Sequence, residues 1–280
     1  MNITTVNVGQ GALAIVRHNK EALIVDSSIP PSTVQNVAHV KQILAAALKG
    51  HYVKGLILTG LDSDHTDVIG ASIILQKYRP DWVVYPGCHK ETLEATLFFK
   101  LVDEQVDDRR DSARPLTRIG VRLDKLPSRR LTGLSQNFDF ELFSPHVDDM
   151  TSSNNSSIVL KITGIGAGGF SYLITGDTET DRWKVISDLF GSSLKSHVLA
   201  AAHHGSINGV HAASLLQIEP HTVHISAGID NQYGHPHPAA LRAYKLVAKE
   251  VFATSMNGGV SILTQPGQRE LSTTLIPHSV

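Results

Sequence analysis

Apolar and polar positions alternate over short stretches at the start of the chain. Residues 2–8, 12–16 and 22–25 each form a compact apolar run, and the Gly9-Gln10-Gly11 turn and the polar His18-Asn19-Lys20 separate them. Short runs at this spacing predict a strand meander. The period then lengthens. Over residues 33–48, Val34, Val37, Val40, Ile43, Leu44, Ala47 and Leu48 fall near one helical face, with Ser32 as the candidate cap behind Pro30-Pro31. An apolar strand follows at 54–58, then a Gly- and Asp-rich loop and a helix through about residue 77. A strand at 81–85 is stopped by Pro86-Gly87, and a helix over 89–108 places Leu93, Leu97, Leu101 and Val102 on one side.

The same progression then recurs. Residues 109–135 read as an irregular basic insertion, and beyond it strands return at 138–143, 157–162 and 170–175. The Gly-rich stretch 164–169 reads as a hairpin loop between the last two. Helices at 179–189, 208–216 and 238–248 alternate with strands at 197–202, 221–226 and 250–252, and terminal strands close the chain near 260–275. Two similar halves, each running from a meander into β-α-β units, predict one α/β domain over 1–280, layered helix, sheet, sheet, helix.

Composition narrows the function classes. A length of 280 residues with 41% hydrophobic content supplies a substantial core and excludes a mainly disordered chain. Twenty-five basic against 26 acidic residues exclude a globally basic nucleic-acid-binding protein. No apolar run approaches the length needed to cross a bilayer, and the first residues lack the basic flank and apolar core of a signal peptide. Cys88 is the only cysteine, which excludes a disulfide framework and makes a cytoplasmic location the simplest expectation. Histidine changes the picture: there are 15, and eight lie between His197 and His237.

Four clusters at strand ends carry potential metal ligands. Asp62, Asp64 and His65 lie within four residues after the strand at 54–58. Carboxylates with imidazole suit zinc, manganese or iron, although Asp62 or Asp64 would also serve as a helix N-cap. Asp177 follows the strand at 170–175, where a cap is again the plainer role. His203 and His204 are adjacent after the next strand, an arrangement with no common structural purpose. His235 and His237 sit in a Tyr233-Gly234-His235-Pro236-His237-Pro238 loop, whose prolines restrict the backbone and lower the ordering cost of ligation. The coincidence of all four at strand ends points to a metal site.

In order and approximate spacing, these clusters, with Val8-Gly9-Gln10-Gly11 before them and Asn154-Asn155-Ser156-Ser157 among them, resemble the metallo-β-lactamase fold superfamily. More narrowly, they are similar to the soluble hydrolase domain of ComEC-type DNA-uptake (competence) proteins and their stand-alone relatives, over about residues 3 to 265. The resemblance implies an αββα sandwich of two mixed sheets flanked by helices, with a metal site at one edge of the sheets. It implies Asp62 at a first metal, Asp64 and His65 at a second, Asp177 between them, and His235 or His237 as the late histidine ligand. It places His203 and His204 in the pocket as ligand, proton donor or phosphate binder, and Asn154 or Asn155 where many relatives carry another histidine. His146 is the best candidate to replace a missing histidine.

Two positions depart from the pattern. Gly60 stands where many relatives have histidine, and Ala12 where they have Asp or Asn. Without that imidazole the first half-site is oxygen-rich, weak for zinc and better suited to manganese or magnesium. The expectation is a divalent metal, zinc or manganese, with one firm site and one weak or absent. The implied function is a metal-dependent hydrolase, foremost a phosphodiesterase or nuclease acting on nucleic acid or a nucleotide. In it, Asp64 orients or deprotonates water when it is not itself a ligand, and His203 or His204 protonates the leaving oxygen. A catalytically silent binding or regulatory subunit, and a lactone or thioester hydrolase, are the alternatives. The seven arginines and one lysine between residues 109 and 130 either clamp phosphates or pair with Asp103, Glu104, Asp107, Asp108 and Asp111.

Overall fold

The computed structural model describes residues 1–29, 34–148, 152–166, 168–267 and 270–277. The Ser32 cap, and Ala167 within the predicted hairpin loop, lie outside the described residues. Strands β1 (Asn2–Thr5), β2 (Ala14–His18) and β3 (Glu21–Val25) form the expected antiparallel meander. Helix α1 (Val34–Ala47) then returns the chain to β4 (Tyr52–Ile57), which runs parallel to β3. Helix α2 (Val68–Ile73), extended by a wider π-helical turn at Ile74–Tyr78, leads to β5 (Trp82–Pro86), and α3 (Leu93–Arg109) leads to β6 (Thr117–Val121); both strands continue the parallel set.

The second half repeats this plan. Strands β7 (Phe138–Ser144), β8 (Val159–Gly164) and β9 (Ser171–Ile174) are antiparallel. Helices α4 (Thr180–Phe190), α5 (Ala212–Ile218) and α6 (Pro238–Val247) then alternate with the parallel strands β10 (Val198–Ala200), β11 (Thr222–Ile225) and β12 (Glu250–Ala253). The C-terminal hairpin β13 (Val260–Pro266) and β14 (Leu271–Pro277) crosses back and pairs with β1. The sheet orders are β14-β13-β1-β2-β3-β4-β5-β6 and β12-β11-β10-β9-β8-β7.

Three apolar layers account for the stacking. Ile15, Ile24, Leu56 and Val83 of the first sheet pack against Leu44 of α1 and Phe98 of α3. Ile3, Leu23, Ile57 and Val84 of the first sheet meet Phe140, Leu160 and Ile174 of the second. Leu173, Leu199 and Val223 of the second sheet pack against Trp183 and Ile186 of α4, Leu215 of α5 and Tyr244 of α6. Among the described residues no helix is long and apolar enough to cross a membrane.

Two expectations are corrected. The region 109–135 is not wholly irregular, because β6 lies within it; Thr-Arg-Ile-Gly-Val is an edge strand with only Val121 buried, and its two apolar residues, Ile119 and Val121, are too short a pattern to stand out. Helix α3 buries Ala95, Phe98, Leu101 and Val102, whereas Leu93 and Leu97 are exposed. Six of the seven arginines of this region are paired or buried, and Arg130 is exposed. Arg110 contacts Asp107, Arg118 contacts Asp103, Arg122 contacts Asp124, Arg114 contacts Asp81 and Arg129 contacts Glu141. Arg109 is fully buried and donates to the carbonyls of Pro80 and Arg114.

Candidate metal centre

The loop after β4 is folded so that its acidic and imidazole side chains gather. Asp67 caps α2, its carboxylate accepting from the Ile69 N–H at 2.8 Å, and this leaves Asp62 and Asp64 free of that duty. The N–H groups of His65 and Thr66 both close on the Asp62 carbonyl. The Ala12 N–H donates to the Asp64 carbonyl at 2.8 Å, and the Ser27 N–H to the His65 carbonyl at 2.8 Å, so the turns after β1 and β3 clamp the loop from below.

His65 is buried between two carboxylates. Its Nδ1 lies 3.1 Å from Asp26 Oδ2 and its Nε2 lies 2.9 Å from Asp177 Oδ1. Asp26 is itself held by the Thr59 N–H at 2.6 Å and the Thr59 hydroxyl at 2.7 Å. Burial disfavours the charged imidazole, but Asp177 and Asp26 outweigh burial and hold the His65 pKa well above its ordinary value.

Asp177 enters from the second half. Its N–H donates to Ser157 Oγ at 2.9 Å, which gives the Asn154-Asn155-Ser156-Ser157 motif a supporting role. Gly176 adopts φ +49°, and a Cβ there would come within 2.7 Å of Ser157, so glycine is what the turn requires. Burial raises the Asp177 carboxyl, yet the charges of His65 and His204 prevail and depress it. His204 contributes from the turn after β10. Its Nδ1 lies 2.9 Å from the Ser226 carbonyl, which assigns that nitrogen the proton and turns Nε2 toward Asp64 Oδ2 at 3.4 Å and Asp177 Oδ1 at 3.6 Å. Both His203 and His204 have left-handed backbone, φ +50° and +53°. For non-glycine residues this costs about 1–3 kcal/mol each, a strain typical of functional turns.

One ligand atom each from Asp64, His65, Asp177 and His204 lies within 4.8 Å of all the others. Nε2 of His204 is buried without a hydrogen-bond partner. A buried imidazole nitrogen aimed at two carboxylates fits a divalent cation, in the mixed nitrogen and oxygen environment that zinc and manganese accept.

The other sequence candidates are placed around this group. His203 stands beside it, with Nε2 3.9 Å from Asp177 Oδ2 and Nδ1 3.4 Å from Glu179 Oε1. The His235 ring lies 5.8 Å from that of His203, its Nδ1 is buried and unpartnered, and burial with the charge of His203 lowers its pKa. Asp62 accepts a hydrogen bond from the Ser153 hydroxyl and lies outside the four-residue group. His237 is exposed, and its Nδ1 accepts from the Ala239 N–H at 3.1 Å as the cap of α6. Asn154 donates to Glu179 Oε1 at 3.0 Å and Asn155 accepts from the Glu179 N–H at 3.0 Å. His146 pairs with Asp148 at 3.1 Å, also outside the group.

Two residues of the site escaped sequence reasoning. Asp26 follows an apolar strand directly, the same signal that marks Asp177. Glu179 sits two positions beyond Asp177 and reads as a helix-start acid. Asp64, Asp177 and His204 also line an open cleft of about 910 Å³, together with Gln10, Ile69, Leu97 and Tyr233, whereas His65 lies behind them outside its lining.

No family model matches the chain. In sequence it is 30% identical over 207 residues to ComE operon protein 3 of Bacillus subtilis (strain 168), covering 73% of this chain and 24% of that protein. It is 30% identical over 122 residues to Competence protein ComA of Neisseria gonorrhoeae, covering 44% of this chain and 17% of that protein. The chain therefore spans a quarter or less of the length of these curated relatives. In structure it is similar to Igni18, a metallo hydrolase from the archaeon Ignicoccus hospitalis, with TM-score 0.54, 12% identity, and coverage of 95% of this chain and 100% of that one. It is also similar to the metallo-β-lactamase fold protein YhfI from Bacillus subtilis, with TM-score 0.50, 12% identity, and coverage of 94% and 99%. These likenesses show the fold.

Proposed function

We propose that this chain, a metallo-β-lactamase-fold protein of ComEC-like sequence, is a metal-dependent hydrolase that cleaves phosphodiesters. The observation that carries this is the convergence of Asp64, His65, Asp177 and His204 within 4.8 Å, three of them lining the open cleft. Those four residues would hold one divalent cation, zinc or manganese. When bound, it supplies Lewis acidity and an acidified water.

The chain's own groups perform the remaining tasks. Asp26, itself held by Thr59, grips Nδ1 of His65 and fixes the ring with Nε2 toward the group. Asp64 is the group's carboxylate most open to the cleft, with its side chain 33% exposed against 9% for Asp177, and it orients the attacking water. His203 lines the same cleft and is the group placed to protonate the leaving oxygen, with Glu179 Oε1 3.4 Å from its Nδ1. With Gly60 and Asp62 outside the group, a second cation has the poorer half-site.

The test is metal content by inductively coupled plasma mass spectrometry after equilibration with zinc or manganese, beside hydrolysis of a chromogenic phosphodiester. About one equivalent, lost in Asp177→Ala and His65→Ala together with hydrolysis, is the expected result. Absence of bound metal in every condition would sink the mechanism and leave a binding subunit as the better description.

A further inference from the structure

The cleft above the four-residue group has an unusual balance of charge and apolar surface for an enzyme that handles phosphates. Its lining carries the carboxylates of Asp62, Asp64, Asp67, Glu94 and Asp177. Among the described residues, Lys90 is the one lysine or arginine that lines it. The arginines of residues 109–130 are elsewhere: six are engaged with Asp81, Asp103, Asp107, Asp124 and Glu141 or buried, and Arg130 is exposed outside the cleft lining. Nucleic-acid strands are bound chiefly through several phosphates at once, each met by a cationic side chain or backbone donor. One divalent cation and one lysine leave this cleft with excess negative charge, which repels successive phosphates.

The walls supply the complementary feature. Tyr233 is 60% exposed and stacks on His235 with ring centroids 5.8 Å apart and planes inclined by 17°. Ile69 is 57% exposed and Leu97 42% exposed, and both line the same cleft. Large apolar side chains left bare inside a concave site are surface awaiting a ligand's apolar body. Leu97 is thus turned away from the core stripe of α3 and toward the cleft.

Resting on the hydrolase reading above, we infer that the substrate is a compact phosphodiester with a single phosphate and an aromatic or apolar substituent, not a polyanionic strand. Lys90 provides the one cationic side chain for the phosphate. Tyr233, backed by His235, provides the platform for the substituent, in a lining shared with Ile69 and Leu97. In the reaction the oxygen of water bonds to phosphorus, the bond from phosphorus to the leaving oxygen breaks, and that oxygen takes up a proton. The products are a phosphomonoester and an alcohol or phenol.

The experiment compares bis(para-nitrophenyl) phosphate with a single-stranded oligonucleotide of about twenty nucleotides on the metal-loaded protein, by turnover and by calorimetric binding at two salt concentrations. The aryl diester is expected to have at least a ~10-fold higher kcat/KM per bond and the tighter binding. Tyr233→Ala is expected to raise its KM by roughly 5-fold or more with little change in kcat, the scale of a lost stacking contact. Equal or better binding or cleavage of the oligonucleotide overturns the inference, as does a Tyr233→Ala variant with unchanged KM and binding. If neither compound is hydrolysed, the phosphodiesterase reading fails. Binding of the intact aryl diester then decides the inference separately: preferential, Tyr233-dependent binding upholds it, and its absence overturns it.

Discussion

His65 can meet a cation only if its ring is held, and Asp26 is the residue that holds it. The carboxylate takes two donors from Thr59 and lies against His65 Nδ1, so Nε2 is left facing the group. A carboxylate behind a ligating histidine orients the ring and raises its basicity. Asp26→Asn keeps the shape and removes the charge, and is expected to weaken metal binding by about 10- to 100-fold while the fold survives. Competition against a chromophoric chelator reads this directly, and unchanged affinity would remove Asp26 from the site. Gly11 and Gly60 make a paired prediction. A Cβ on Gly11 would come within 2.2 Å of Ser28 Oγ and 3.0 Å of the Asp64 carbonyl, so Gly11→Ala displaces the ligand loop and is expected to cost about 1–3 kcal/mol. A Cβ on Gly60 meets only the His65 ring at 3.7 Å, an ordinary contact, so Gly60→Ala is expected to stay within about 0.5 kcal/mol. Urea denaturation of the two variants checks the contrast. At this scale the sequence is legible for Asp64, His65 and Asp177 only through the coincidence of several ligand clusters at strand ends, since each carboxylate alone reads equally as a helix cap. It is not legible for His237, whose nitrogen is spent on capping α6, because ligand and cap look identical until the helix start is located.

At the scale of elements, the meanders and β-α-β units could be read because their apolar periods differ, 2 for strands and near 3.6 for helices. β6 could not, because Ile119 and Val121 are its only apolar residues in a basic stretch, and the exposed Leu93 and Leu97 of α3 imitate a core face. The return of β13 to β1 is also invisible in the local pattern, since nothing in it specifies which edge a terminal hairpin joins. That return creates a buried tie between the sheets. His224 of β11 lies 2.9 Å from the Thr5 hydroxyl of β1 and 2.8 Å from the Thr264 hydroxyl of β13. Burial pushes its pKa from 6.5 down to about 3. In the unfolded chain the imidazole protonates near 6.5, so between that pH and about 3 the unfolded state holds more protons. The stability His224 provides is complete above pH 6.5 and is lost as the pH falls toward about 3, with a slope approaching about 1.4 kcal/mol per pH unit. His224→Gln keeps a polar group between the threonines and removes the titration. Urea midpoints between about pH 4 and 7 are expected to fall less steeply for the variant than for the parent; parallel curves would contradict the assignment.

For the whole molecule, what matters is that the ligands come from both halves. Asp64 and His65 follow β4 of the first sheet, whereas Asp177 and His204 follow β9 and β10 of the second. A cation held by all four therefore ties the two sheets together, and unfolding either half releases it. Ligand binding to the native state alone stabilises by RT ln(1 + [L]/Kd), about 2.7 kcal/mol at a hundredfold excess over Kd. In a chain of this size that corresponds to roughly 5–10 °C in Tm. Zinc or manganese is expected to raise Tm by that order and excess chelator to reverse it, with no shift in Asp177→Ala. The effect also has a pH signature. In the metal-free protein Asp177 and its carboxylate neighbours raise the pKa of His65 and of His204 despite their burial, which favours the protonated imidazoles that compete with a cation. The metal-dependent increment in Tm is therefore expected to grow as pH rises from about 6 to 8. An increment that is independent of pH, or that persists in Asp177→Ala, would place the cation somewhere other than between the two sheets.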